Sequence, residues 1–314
     1  QKFNAEFRFK HVRGLFEDPS SAASIAADIV ILQAWFRTDE TVLARVLETI
    51  RRHNPNARIA FLDAMAPADL RLARVVDPYV EFYLKKSVLK DESYYARPLR
   101  GDTNLEEYYG QLYGLDVAPV DWRVPAGFLK KLRLVPNFFT APALIRGFET
   151  GRLPSAAGRA LDVHARLGSG SGGGWYNKMR QAALAVVEGL DGFQTVTGVG
   201  VGQREYMAEL RNSKFCFSPF GYGELCWRDV EAILCGSLLV KPDMSHLRTE
   251  PDINLAGQTY ATVKWDFSDL AEVLEAWRGD EDKRSATTRR AFDLVADFLR
   301  EKRFLGQLGF LMEG

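Results

Sequence analysis

Apolar positions along the chain fall into two blocks that share one rhythm. The first opens with Ala27-Asp28-Ile29-Val30-Ile31-Leu32-Gln33-Ala34-Trp35, an apolar run of strand length that suits a strand covered on both faces of a parallel sheet. Val42, Leu43, Val46, Leu47 and Ile50 then recur at helical spacing behind a cap at Thr38 or Asp39, until Asn54-Pro55-Asn56 breaks the pattern. A strand over 58–63, a helix over 68–76 and a strand over 80–84 continue the alternation, the signature of a Rossmann-like lobe.

The second block starts after 147–158, where Gly147, Pro154, Ser155 and other small residues mark a linker. Strands are expected over 161–167, 192–197, 214–218 and 237–241, with helices over 176–189, 203–213 and 227–235 between them. Helices over 269–277 and 285–301 close the chain. Between the blocks, 91–140 loses this rhythm and gathers Tyr94, Tyr95, Tyr108, Tyr109, Tyr113 and Trp122. It reads as an aromatic-rich insertion facing a cleft. The expected architecture is α/β, with two Rossmann-like lobes facing a central cleft. The first lobe spans 1–150 and the second 159–285, and a C-terminal helix within 286–314 crosses back to the first.

Charge and cysteine usage narrow the function classes. Lys plus Arg and Asp plus Glu each number 41, so the net charge is zero and nucleic acid is not an expected partner. Cys216, Cys226 and Cys235 sit in one apolar region without the CxxC spacing or nearby histidines of a zinc site. They read as buried thiols of a reducing compartment, which points to the cytoplasm. No apolar run approaches the roughly 20 residues of a membrane span, and the N-terminus lacks a signal-peptide core, so a soluble chain is expected. The sequence opens on Gln1 rather than Met, which leaves room for an element ahead of it.

The sharpest chemistry lies in the 206–236 stretch, which reads as a helix, a buried strand, a glycine-punctuated turn and a second helix. Its core is Phe217-Ser218-Pro219-Phe220-Gly221-Tyr222-Gly223-Glu224, followed by Arg228 and Glu231. Gly221 and Gly223 let backbone approach a ligand, and the following helix offers free N–H groups to a phosphate. Arg228 adds a fork of donors for phosphate oxygens. Glu231 shares its helix face and suits the two hydroxyls of a ribose. An ordinary surface ion pair between Arg228 and Glu231 is the plainer alternative.

Ser-Pro-x-Gly-x-Gly, then Arg, Glu-Ala, Gly and an apolar strand resembles the donor-site signature of exostosin-like and family 1-like GT-B glycosyltransferases, over about forty residues, 206–245. The resemblance implies a GT-B fold whose second lobe binds a nucleotide-sugar donor such as a UDP- or GDP-sugar. It gives Glu231 the ribose, and Arg228 with Gly221, Tyr222 and Gly223 the diphosphate, and makes Glu224 a further donor-site candidate. Retaining GT-B enzymes often carry two glutamates with seven residues between them; Glu224 and Glu231 have six, so no stereochemistry is assigned.

Further candidates follow strands on the expected cleft rim. Lys241 reads as a phosphate contact and His246 as a sugar, acceptor or catalytic contact, against a purely structural role for each. Arg166 precedes a glycine loop at 168–174 that either wraps phosphate or is a flexible surface loop. Gly168-x-Gly170-x-x-Gly173 formally matches a dinucleotide fingerprint but lacks the acidic residue about twenty positions on. Asp39 and Asp63 are candidate bases for an acceptor hydroxyl, against helix-cap and turn roles. No Asp-x-Asp metal motif is present, and no metal or other cofactor is expected. The expected reaction is sugar transfer to a hydroxyl of a glycan, a lipid-linked saccharide or a small acceptor, the second of these with peripheral membrane association. A catalytically silent sugar- or nucleotide-binding protein and an NAD-dependent oxidoreductase are the alternatives.

Overall fold

Two separate parallel sheets organise the chain in the computed structural model, which describes residues 6, 8–136 and 142–312. The first half contains β1 (Ile29–Gln33), β2 (Arg58–Asp63), β3 (Phe82–Lys85), β4 (Ser87–Leu89), β5 (Leu99–Arg100), β6 (Pro119–Val120) and β7 (Leu132–Leu134). Its helices are α1 (Val12–Glu17), α2 (Glu40–His53), α3 (Ala73–Val76) and α4 (Asn104–Leu112). The first sheet has the order β1-β2-β3-β7, all parallel. Leu43, Val46, Leu47 and Ile50 of α2 form the stripe that packs on it.

The second half contains α5 (Pro142–Glu149), β8 (Leu161–His164), α6 (Trp175–Glu188), β9 (Thr195–Val196), α7 (Gln203–Arg211), β10 (Ser213–Phe217), α8 (Trp227–Cys235), β11 (Leu238–Pro242), β12 (Leu247–Thr249) and β13 (Ala261–Val263). It closes with α9 (Leu270–Arg278), α10 (Glu281–Arg300) and α11 (Arg303–Gln307). The second sheet has the parallel order β13-β11-β10-β8-β9. The chain leaves β8 to one side for β9 and returns to the other for β10, so a crevice opens beyond their carboxyl ends, the ligand position of open α/β sheets.

Several expectations need correction. β1 is an edge strand with Ile31 about half exposed, so it is covered on one face rather than two. The helix expected over 68–76 contracts to α3. The 147–158 linker begins inside α5, where Gly147 is pressed against Leu234 of α8; a Cβ there would lie 2.7 Å from a Leu234 methyl. The 91–140 insertion is largely structured; its 137–140 end lies outside the described residues. Thr103 caps α4 by accepting from the Glu106 N–H (2.9 Å), and Glu106 reaches back to the Asp102 N–H (2.6 Å), a capping-box arrangement shifted by one residue.

This insertion crosses to the second half. Tyr109 stacks near Trp175 and Trp265 and donates its hydroxyl to the Trp265 carbonyl at 2.8 Å. β4 and β12 pair antiparallel, Leu89 opposite Leu247 and Ser87 opposite Thr249, making a ribbon between the halves. At the chain's end Leu308, Phe310 and Leu311 return to the first sheet and cover Ala60, Leu84 and Val135. Arg58 donates to the carbonyls of Phe310 (3.2 Å) and Leu311 (3.1 Å). No described helix is long and apolar enough to cross a membrane.

Candidate active site

Two arginines without a carboxylate partner mark the crevice beyond β8 and β10. Arg228, in the first turn of α8, is half-buried and donates through Nη2 to the Arg166 carbonyl (2.7 Å); its buried Nε has no hydrogen-bond partner. Arg180, on the buried face of α6, donates through Nε to the Gly168 carbonyl (3.0 Å) and through Nη1 to the Phe220 carbonyl (3.4 Å). Burial, and next the Arg228 charge, push the Arg180 guanidinium below its ordinary value. Neither forms an ion pair among the described residues. The fully buried His164 at the end of β8 is pushed down to about 4, first by burial and then by Arg228, so it stays neutral there.

Glu231 lies one turn along α8 from Arg228. Its Oε2 accepts from the Tyr206 hydroxyl (3.0 Å), while Oε1 makes no hydrogen bond among the described residues and is free for a ligand hydroxyl. The turn from 218 to 226 is pinned from below by Asp229, which accepts from Ser218 Oγ (2.6 Å), from the Cys226 N–H (3.0 Å) and from Lys241 Nζ (3.2 Å). Tyr222 is exposed on the turn and stacks on Tyr176, with centroids 4.3 Å apart.

Four residues read from sequence as site candidates are placed elsewhere. Lys241 is fully buried in its pair with Asp229 and cannot meet a phosphate. Arg166 spends its guanidinium on Glu209 (2.9 Å through Nε) and the Thr197 carbonyl. Asp39 is the exposed N-cap of α2, accepting from the Thr41 (2.9 Å) and Val42 (3.0 Å) N–H groups. Asp63 is buried and saturated by Tyr83 (2.6 Å), Lys85 (2.7 Å) and the Met65 N–H (2.8 Å), leaving no oxygen to act as a base. Gly223 also differs from expectation: a Cβ on it would lie 2.0 Å from the Ala66 carbonyl oxygen, so its close approach is to the other half's backbone and not to a ligand. Gly221 has ordinary room. The glycine loop does join β8 to α6, yet β9 ends on Val196 and is followed by Thr197, with no carboxylate there for a dinucleotide ribose.

Glu224 and His246 meet on the far side of this turn. Glu224 is fully buried; Oε1 accepts from Asn104 Nδ2 of α4 (2.7 Å) and lies 3.4 Å from His246 Nε2, while Oε2 has no partner. Lys86 lies close by, pushed down to about 8 by burial first and the neighbouring Lys85 second. His246 is held edge-on by Trp265 (centroids 5.0 Å) and forms part of the wall of a cavity of about 1330 Å³ between the halves. Neither Arg228 nor Glu231 lines that cavity. Sequence reasoning missed Arg180, Tyr206, Asn104 and Trp265, which come from four stretches distant in sequence; only the aromatic density of the 91–140 insertion hinted at α4.

The fold has known counterparts, though the sequence matches no protein-family model and no curated protein. It is similar to a crystal structure of TarM, with a TM-score of 0.52 and 10% identity over 91% of this chain and 55% of that one. An alpha-glucosyltransferase in complex with UDP gives 0.52 and 11% over 93% and 84% of the two chains. Sucrose-phosphate synthase of Thermosynechococcus elongatus gives 0.51 and 14% over 97% and 79%. The chain spans about half the length of TarM. These likenesses establish a GT-B glycosyltransferase fold.

Proposed function

We propose that the chain transfers a sugar, hexose or pentose, from a nucleoside diphosphate sugar to an acceptor hydroxyl. The observation that carries this reading is the pair Arg180 and Arg228, two shielded guanidiniums without a carboxylate at the carboxyl ends of β8 and β10. A diphosphate supplies the missing countercharge, and the unmatched Nε of Arg228 supplies a donor. Glu231, itself anionic, accepts from the ribose hydroxyls through Oε1 while Tyr206 holds Oε2. The charge that grows on the departing diphosphate falls on these guanidiniums, so the chemistry proceeds without a resident metal. The GT-B neighbour solved with UDP makes UDP the first nucleotide to test. Free thiols at Cys216, Cys226 and Cys235 suit the cytoplasm, and a lipid-linked acceptor would be met peripherally at a membrane surface.

Calorimetry with uridine and UDP tests the assignment. Arg228→Ala should weaken UDP by about 1.5–3 kcal/mol, the range for charged hydrogen bonds, and leave uridine nearly unchanged. Glu231→Ala should weaken both alike. An Arg228→Ala chain that binds nucleoside diphosphates as tightly as its parent sinks the donor site. Slow hydrolysis of a bound nucleotide sugar separates an enzyme from a silent binding protein.

A further inference from the structure

Glu224 is unusual for a buried carboxylate. One oxygen is held by Asn104 and faces His246, and the other is shut away from solvent without a hydrogen-bond partner. Leaving such an oxygen unmatched is costly unless the group is used. On the open side, the His246 side chain is about one-quarter exposed and faces the interlobe cavity. Among the described residues its Nδ1 makes no hydrogen bond. The Glu224–Nε2 separation of 3.4 Å is long, as acid–base contacts often are before substrate binds.

Resting on the donor site above, we propose that His246 is the base that takes the acceptor's proton, with Glu224 as the residue that positions it, and that the cavity delivers a neutral saccharide acceptor. Nε2–H donates to Glu224 and fixes the tautomer, so Nδ1 accepts the proton from the acceptor hydroxyl. The freed oxygen bonds to the anomeric carbon, the bond from that carbon to the diphosphate oxygen breaks, and the diphosphate leaves with the electron pair. This single displacement, with the hydroxyl attacking opposite the diphosphate, inverts the anomeric carbon.

The wall chemistry selects the acceptor class. Trp265 and Tyr108, edge to face at 4.9 Å, offer apolar ring faces to a pyranose. The cavity's charges balance, with Lys90, Arg97, Arg100 and Lys264 against Asp91, Glu107, Asp116 and Asp266, and Arg97 is already paired to Glu107 at 2.6 Å. Such a wall bonds hydroxyls from both donors and acceptors and does not favour a charged ligand.

The test uses water as the first acceptor, so the natural one need not be known. Sugar release from UDP-glucose, UDP-N-acetylglucosamine and GDP-mannose is measured for the parent, His246→Gly, His246→Asn, Glu224→Gln and the double variant His246→Gly/Glu224→Gln, with UDP and GDP binding by calorimetry alongside. His246→Gly and His246→Asn should each lower release about 100-fold or more with nucleotide binding unchanged, and added imidazole should restore part of the loss in His246→Gly. Glu224→Gln should slow the parent but cost nothing further once His246 is gone. With p-nitrophenyl glycosides added as acceptors, Tyr108→Ala should raise their KM by about 10-fold relative to the parent. Unchanged release in both His246 variants, failure of imidazole rescue, or additive costs of the two substitutions overturns the assignment of the base. Hydrolysis insensitive to every glycoside overturns the acceptor cavity. A parent that neither binds UDP or GDP nor releases sugar sinks the glycosyltransferase reading itself, which is a different result from either.

Discussion

Gly221 and Gly223 stand two residues apart in one turn, and alanine at the two positions should have different costs. A Cβ at Gly223 would lie 2.0 Å from the Ala66 oxygen, 2.3 Å from its carbonyl carbon and 3.0 Å from Pro67 N. Ala66 would have to retreat about 1.4 Å to reach the 3.4 Å of ordinary contact. The loop cannot give way alone. Asp63 anchors one side of it through Tyr83 and Lys85, and the Tyr95 hydroxyl holds the Ala68 carbonyl on the other at 3.1 Å. The two halves must therefore part, stretching the 2.7 Å Asn104–Glu224 bond beside the turn. Overpacking costs about 1–3 kcal/mol and the loss of a charged hydrogen bond about 1.5–3 kcal/mol. A total of about 2.5–6 kcal/mol corresponds to a fall in Tm of about 4–9 °C for a chain of this size. Gly221→Ala places its Cβ 3.5 Å from Cys226 Sγ, ordinary contact, and should cost less than about 1 kcal/mol. Scanning calorimetry of both variants decides the matter: equal shifts would show that the halves do not meet backbone to backbone at Gly223.

Three further outcomes follow from groups that hold the fold together. His164 is neutral when folded because its value falls from an ordinary 6.5 to about 4, so between those limits the unfolded chain binds a proton that the folded chain refuses. Stability is unaffected above pH 6.5 and falls as pH drops toward 4, by about 2.5 kcal/mol at pH 4.5; urea unfolding should show that slope in the parent and not in His164→Phe, and equal slopes would refute it. Asp63→Ala leaves Lys85 charged and unpaired in the core and should cost about 3–5 kcal/mol, so it should lower Tm sharply, whereas a base used only in catalysis would lower turnover at unchanged Tm. Arg58→Ala removes two donors from the Phe310 and Leu311 carbonyls, and limited proteolysis should then cleave the C-terminal segment faster than in the parent; an unchanged rate argues that apolar packing alone holds it.

The alternating lobes were legible because buried parallel strands and amphipathic helices write their periods into the sequence, as Leu43, Val46, Leu47 and Ile50 do in α2. Arg228 and Glu231 stand out in the sequence because both sit on one short helix behind a glycine turn, and their donor role is the proposal made above. Asp63 and Lys241 misled for a physical reason: a charged residue at the carboxyl end of a strand reads the same whether it faces a ligand or a buried counterion from the next strand. Asp63 pairs with Lys85 on β3, and Lys241 on β11 pairs with Asp229 on α8. Those partners lie 22 and 12 residues away, and sequence alone does not weigh that pairing against a ligand. Arg180 was invisible because one arginine in an amphipathic helix carries no signal until its neighbours are placed.

The register between the halves gives the same turn two jobs. The loop after β2 meets the turn after β10 at Ala66 and Gly223, and the strand after β3 pairs with the strand after β11. β2 therefore faces β10 and β3 faces β11. Carried one strand outward, this order points the loop after β1, with exposed Trp35 and Phe36, toward the loop after β8. The proposed donor contacts thus gather on one side of Gly223, between β8 and β10, and the cavity with His246 lies on the other, beyond β11. Glu224 is the next residue along from Gly223. The sugar transfer proposed above would take place at this junction, where Glu224, pinned by Asn104 from the first half, faces His246 in the second.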